Sequence, residues 1–491
     1  LSEEPEYFDL PAQWEALEAA IGAKEAPEFG SEVLGRVLER VREHEPTRAL
    51  VETDYIDADY RDEYTHFYSK TFAQLADRCR RVHFFKLLSD GSRERYLGYC
   101  VLRPLRSRPV GRTVLTPPDS VRSWISCTIG DVVHPYGQRL RTWGFPFMEQ
   151  DTQLGVCAHA SVWMVALYHH LAFGKPRRFM HDIADAAQTQ RELWRPTPSE
   201  GLSDQQVSVA LQQLDLEAIT YVVSSPPNNQ SINRVICRYL NSRLPVILTT
   251  EQHAVVLIGY GRDRKNRLFF VRQDDGHSPY ERVYKDSDPL GDWDLLFTPL
   301  PGKVYLAGES AEPFARRMLT QLLDSKEHRK VRARLPNYLR LRTYLVSAGE
   351  YKARLARRGL PALAVDLHRK EPTSNWIWVV ELQDPKLART TVRCVIGEMA
   401  IDATSDSRDP NPFFANLEGV SYIWEPGTSE PLAEEVGYEG PYVTGCALHD
   451  AATAPVLPKA PIKARARAWG ERRSRFLARR SVRTRGRRTR G

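Results

Sequence analysis

The chain has 491 residues, of which 42% are hydrophobic and 10% aromatic, and it carries a net charge of +7 at pH 7. This composition excludes a wholly disordered or collagen-like chain, and the length predicts about three domains. No apolar run approaches the ~20 residues of a membrane span, and seven scattered cysteines without a CxxC pair argue against a disulfide framework and for a reducing cytoplasm.

The opening residues LSEEPEYFDL are acidic and lack an apolar core, so no signal peptide is expected, and Leu at position 1 leaves room for an upstream segment. Residues 10–45 read as two helices, one with Trp14, Leu17, Ala20 and Ile21 on a face, the other with Val33, Leu34, Val37, Leu38 and Val41. Asp54, Asp57 and Asp59 alternate, but no glycine-centred loop with a terminal Glu follows, so a loop and a helix start are expected rather than a calcium site. VHFFKLLSDGSRERYLGYCVLRP predicts a β-hairpin around Ser89-Asp90-Gly91. A mixed α/β domain over 1–122 follows from these elements.

Trp124 to Val133 reads as a strand, and Gln150 to Phe173, QDTQLGVCAHASVWMVALYHHLAF, places a cysteine at the head of an apolar helix. A thiol there faces unpaired backbone N–H groups and the positive end of the helix dipole, which favour thiolate over thiol. The Cys157 amide and the side chain of Gln150 or Gln153 are candidate donors to an oxyanion. Downstream, DQQVSVALQQL reads as a capped helix, EAITYVV as a strand and SINRVICRYLNS as a helix. Leu244 to Leu248 and Ala254 to Gly259 read as strands, with His253 at the mouth of the second. LFFVRQDDG then closes a hairpin, bringing Asp274 or Asp275 beside His253 to orient its ring. His277 and His134 are lesser candidates for the base. His159, His169, His170 and His181 form no HExxH or CxxC pairing and read as core or solvated residues rather than metal ligands.

A Gln ahead of a Cys-initiated helix, a HAVVLIGY strand and an acid ending the next strand resemble the papain-like cysteine peptidases, especially the compact bacterial branch that includes the leader-cleaving domains of bacteriocin exporters. The resemblance covers roughly 142–301. It implies Cys157 as nucleophile, His253 as general base and acid, Asp274 as the orienting residue and Gln150 as oxyanion donor. It also implies hydrolysis of a peptide or isopeptide bond in a protein or peptide substrate, without metal or organic cofactor. Acyl transfer of the transglutaminase type would use the same roles, and a binding module on the same scaffold would use none of them.

After Pro301 the chain reads as largely helical to Arg358, through PFARRMLTQLLDSKE and NYLRLRTYLVSAGEYKARLARRG, and then as a second hairpin around Asp384-Pro385. Glu381, Glu398 and Asp402 are expected at exposed strand positions. From Lys459 the chain holds 14 Lys and Arg against the single Glu471, a local charge of +13 that leaves the rest at −6. Such a segment cannot bury enough apolar surface to fold alone, and it suits electrostatic attachment to nucleic acid or another polyanion. The expected whole is an α+β protein with a papain-like core (a helix lobe and an antiparallel sheet lobe) at 123–301, mixed α/β regions at 1–122 and 302–455, and a disordered basic tail at 456–491.

Overall fold

The computed structural model describes residues 5–22, 31–72, 74–88, 91, 93–105, 108–150, 157–187, 201–226, 231–250, 253–265, 267–284, 293–324, 333, 335, 340–355, 362–384, 395–405, 410–417 and 420–424. The expected basic tail lies outside them, as do Ser89 and Asp90 of one expected turn and Pro385 of the other. The fold is α+β, with every strand pairing antiparallel, and it divides into two compact units between Val304 and Tyr305. Among the described residues no helix is long and apolar enough to cross a membrane.

The first unit opens with β1 (Glu6–Asp9), α1 (Trp14–Ala20), α2 (Glu32–Arg42), β2 (Arg48–Tyr55) and α3 (Ala58–His66). Both predicted N-terminal helices form, and α2 buries Val33, Leu34, Val37, Leu38 and Val41 as their spacing requires. Asp57 caps α3 by accepting from the amides of Asp59 and Tyr60, each at 3.1 Å, so the alternating acids start a helix. The predicted hairpin forms as β3 (Cys79–Leu87) against β4 (Glu94–Leu102), followed by β5 (Val110–Leu115) and the short α4 (Asp119–Arg122). With β8 (Pro146–Phe147), these strands make a sheet ordered β1-β2-β3-β4-β5-β8.

Of the strand expected at Trp124 to Val133, only Ile129–Val133 forms as β6, paired with β7 (Leu140–Gly144). The preceding residues cross a later strand instead: Ile125 bridges Gly259, and the Trp124 carbonyl accepts from Tyr260 N–H at 3.0 Å. That crossing requires glycine, because a Cβ at Gly259 would meet the Trp124 oxygen at 2.2 Å.

The rest of the unit is α5 (Cys157–Phe173), α6 (Met180–Ala186), α7 (Asp204–Gln213), β9 (Ala218–Val222), α8 (Ile232–Asn241), β10 (Val246–Thr249), β11 (Ala254–Arg262), β12 (Leu268–Asp274), β13 (Ser278–Tyr284) and β14 (Leu295–Pro299). The capped start expected for α7 forms, with Ser203 and Gln206 making a capping box. The six strands β9 to β14 pair as β13-β12-β11-β10-β14-β9, and α5 packs on β10 and β11.

The expected boundary at 122/123 does not divide compact bodies, because residues on both sides share one interior. The buried Tyr280 hydroxyl donates to Leu115 O at 2.7 Å and accepts from Phe145 N at 2.8 Å. Glu149, also buried, accepts from Ser31 Oγ at 2.8 Å and from Val110 N at 3.1 Å, tying the cap of α2 and strand β5 to the approach to Cys157. Trp163 of α5 donates to Asp59 of α3 at 3.0 Å, and Arg177 grips the same carboxylate at 2.5 and 2.6 Å.

The second unit contains α9 (Gly308–Asp324), β15 (Arg340–Ser347), α10 (Ala348–Leu355), α11 (Ala362–Lys370), β16 (Trp376–Gln383), β17 (Val395–Asp402), β18 (Pro412–Leu417) and β19 (Val420–Ile423), the strands pairing in chain order. The helix expected through 340–347 is a strand. Leu and Arg favour helix weakly, but Thr343, Tyr344, Leu345 and Val346 are all buried here against β16 and the covering helices, and this packing outweighs local propensity.

Nor are Glu381 and Glu398 exposed: they are 1% and 0% accessible. They lie in a polar row that crosses the sheet, Arg342 opposite Glu381, Glu381 opposite Glu398, Glu398 opposite Asn416 and Asn416 opposite Ser421. Helices cover both faces, so alternation did not imply solvent. Tyr351 of α10 donates to Glu398 at 2.9 Å on one face, and Thr343 donates to Glu312 of α9 at 3.1 Å on the other.

Candidate active site

Helix α5 begins at Cys157 and is buried nearly all round, from Cys157 to His169. An apolar helix of this kind forms in the interior, where its backbone bonds are internal and its side chains meet no water. Its histidines follow that environment: His159 and His169 are fully buried, and burial lowers their pKa values to about 4 and about 3. They are neutral core residues, as their lack of a ligand spacing suggested. His170 instead meets the Lys175 carbonyl at 2.6 Å where the helix ends.

His253 stands immediately before β11, and Asp274 is the last residue of β12, its neighbour in the sheet. Val256 pairs with Gln273, so the head of one strand lies beside the tail of the other, and the two side chains meet there. His253 Nε2 is 3.2 Å from Asp274 Oδ1. The ring is also a hydrogen-bond partner of the Cys157 side chain. Cys157, His253 and Asp274 therefore form one connected chain, with the thiol 4% accessible and the imidazole side chain 36% accessible.

The electrostatics follow from these contacts. The Asp274 hydrogen bond first, and the Cys157 hydrogen bond second, raise the His253 pKa to about 10 against the opposing effect of burial. Burial pushes Asp274 upward, but the hydrogen bond and charge of His253, the Arg272 guanidinium and the Gly276 amide together hold it below its ordinary value.

Of the two adjacent acids, Asp274 is thus the one bonded to the ring. Asp275 is completely buried, and neither of its carboxyl oxygens has a hydrogen-bond partner in another residue. Burial, reinforced by the Asp274 charge, pushes its pKa up to about 8, so it is largely a neutral acid at pH 7. His253, Asp274 and Asp275 offer donor atoms all within 4.8 Å of one another, a set able to hold a cation, although such an ion would occupy the imidazole that faces the thiol.

Gln150 is half-buried, and its amide nitrogen lies against the turn after β12: a Cβ on Gly276 would sit 3.4 Å from Gln150 Nε2 and 3.7 Å from Asp274 Oδ1. Gln153 lies outside the described residues. The alternative bases are placed elsewhere. His277 is held by Arg36 of α2, with 2.5 Å between Nη1 and Nε2, and by Glu281 at 3.2 Å, and His134 is exposed beyond β6.

Three residues near the triad escaped the sequence reading. Trp293, 7% accessible, holds its ring 6.2 Å from that of His253 at a tilt of 33°. Arg272 places Nη2 3.5 Å from Asp274 Oδ2 while its Nε bonds Glu281 at 2.7 Å. Arg36 supports the turn from a helix far away in the chain. Arg272 alone carried a local signal, since it points to the same side of β12 as Asp274 two residues on.

No protein-family model matches the chain, and no curated protein matches it.

Proposed function

We propose that the protein is a papain-like cysteine hydrolase that cleaves a peptide or isopeptide bond through an acyl-enzyme. The hydrogen-bonded series from Cys157 to His253 to Asp274, at the junction of a helix start and two strand ends, is the observation that carries this reading.

In the proposed reaction the Cys157 sulfur attacks the carbonyl carbon, forming a C–S bond while the proton resides on His253. The imidazolium protonates the leaving amine as the C–N bond breaks. His253 then takes a proton from water, whose oxygen attacks the thioester and releases the acid and the thiol. Asp274 keeps Nε2 engaged and so orients the ring. The Cys157 amide and Gln150 are the proposed oxyanion donors. Asp275, neutral beside this pair, adds no second negative charge to the ring at pH 7.

Incubation with a library of peptide esters, followed by mass spectrometry, should trap an acyl adduct on Cys157. Cys157→Ala should lower turnover on the order of 10⁴-fold or more while leaving the fold intact, and full activity in that variant would remove Cys157 from the site. Adding a primary amine separates hydrolysis from acyl transfer. Absence of any adduct, together with equal alkylation rates at Cys157 and the buried Cys79, Cys100 and Cys127, would leave only a binding scaffold. The basic segment 459–491 is proposed to attach the enzyme to a polyanion, so its removal should abolish salt-dependent binding and spare cleavage of a small substrate. The cysteine usage supports a cytoplasmic location.

A further inference from the structure

The contact between α3 and α6 brings together three side chains to which the proposed hydrolysis gives no role. Asp62 and His66, one helical turn apart, share a face of α3, and His181 projects from the first turn of α6. Their donor atoms all lie within 4.8 Å of one another. The Asp62 Oδ1 oxygen is the focus, 3.3 Å from His181 Nδ1 and 3.6 Å from His66 Nε2. We infer that Asp62, His66 and His181 bind a divalent transition-metal ion, with Zn²⁺ as the best fit, and so join α3 to α6.

Four observations support the assignment. The His181 backbone N–H donates to Asp62 Oδ2 at 3.2 Å, which fixes the carboxylate with its other oxygen toward the rings. His181 Nδ1 is sealed from solvent and, although 3.3 Å from Asp62 Oδ1, makes no hydrogen bond, so its lone pair or proton is not satisfied by the contact. On the other side of that ring, Asp185 Oδ2 is 3.7 Å from Nε2, an arrangement in which a carboxylate orients a ligating imidazole. Asp182 Oδ1, 3.8 Å from Nδ1, is near enough to complete a fourth position that water would otherwise fill. Two imidazoles with carboxylate oxygen suit zinc, cobalt or nickel and not the all-oxygen preference of calcium or magnesium.

One adjustment is needed. The His66 and His181 rings stack in parallel, 3.8 Å apart and 5° from coplanar orientation, so their in-plane lone pairs do not meet at one point. Zinc–ligand bonds of about 2.0–2.1 Å bring neighbouring donors to roughly 3.4 Å from each other. The His66 side chain, 39% accessible, has the freedom to turn its ring into that geometry. The ion would clamp the helix whose Asp59 holds Trp163 of α5. It would thereby brace the helix that starts at Cys157, and the metal site itself stands whether or not that cysteine is catalytic.

The test uses the full chain, carrying Cys157→Ser and His253→Ala so that the second donor group is disabled. Co²⁺ titration followed by visible absorption should show one ion per chain with ligand-field bands and no thiolate charge-transfer band, and Zn²⁺ should displace it. His181→Ala and His66→Gln should each weaken binding by about 100-fold, and Asp185→Asn by about 10-fold. His66→Gln alters a partly exposed residue, so circular dichroism should confirm a native fold in at least that variant. Stoichiometric binding retained in folded His66→Gln and His181→Ala proteins, or no Co²⁺ binding by the parent, would overturn the assignment.

Discussion

The surroundings of Cys157 and the polar row of the second unit both bury ionisable side chains, yet they differ in how those groups are completed. In the row, Glu381 accepts from Tyr344 at 3.1 Å and from Arg342 at 3.2 Å, Glu398 from Tyr351 at 2.9 Å and Asn416 at 3.3 Å, and Ser421 donates to Asn416 at 2.6 Å. Each residue of the row has at least one complement inside the protein, and such a buried polar network helps to specify one arrangement of a core. At Cys157 the network is connected but open on one side, because His253 retains access to water and Asp275 has no partner in another residue. Burial of charged residues alone therefore does not distinguish a site from a structural device. A thiol, an accessible ring and a buried acid without a partner in another residue, found together, mark a candidate site.

Substitutions in the two regions should fail in different ways. The largest effect is expected for Asp274→Asn, which removes the charge and weakens the charge-assisted hydrogen bond that raise His253. Turnover should fall by about 10²- to 10⁴-fold, and the His253 titration followed by NMR should move down from about 10. An unchanged His253 titration would disconnect the two residues. Next, Glu381→Ala deprives the buried Arg342 of its carboxylate and should destabilise the second unit by about 3–5 kcal/mol in denaturant unfolding. The chemistry at Cys157 should survive under native conditions, and a loss of activity without loss of stability would give the row a functional part.

The smallest effect, and the sharpest in pH, concerns Asp275. Its folded pKa of about 8 lies above the unfolded value of about 3.9. Between those values the folded state binds more protons than the unfolded state, so this residue's contribution to stability falls as pH rises from about 4 to about 8. Asp275→Asn removes that dependence. It should be more stable than the parent at pH 8 by on the order of 1–3 kcal/mol, with the difference shrinking toward pH 4. Thermal unfolding across that range checks the sign, and a variant less stable at pH 8 than at pH 4, relative to the parent, would refute it.

Much of the first unit was legible in the amino-acid order. The apolar run after Cys157, the β-rich stretch after His253 and the capped segment at Ser203 each announce their element, because periodicity and capping are properties of neighbouring residues. The strand at 340–347 was not legible, since its helix-forming Leu and Arg residues are overruled by partners elsewhere in the sheet. Glu381 and Glu398 misled for a related reason: alternation shows that a strand has two faces and does not show whether a helix covers the second. Asp62 and His66 meet His181 only because α3 and α6 pack together, so no ligand spacing could reveal them.

Sequence by itself determined the kinds of most elements in the first unit, the helix that starts at a cysteine and the order in which thiol, imidazole and acid occur. Tertiary structure decided that Asp274 and not Asp275 faces the ring, that 1–304 forms one compact unit, and which carboxylates are closed in by partners. The division has a physical cause. Backbone conformation responds to residues a few positions away, whereas solvation, ion pairing and proton affinity depend on what burial brings together from distant parts of the chain.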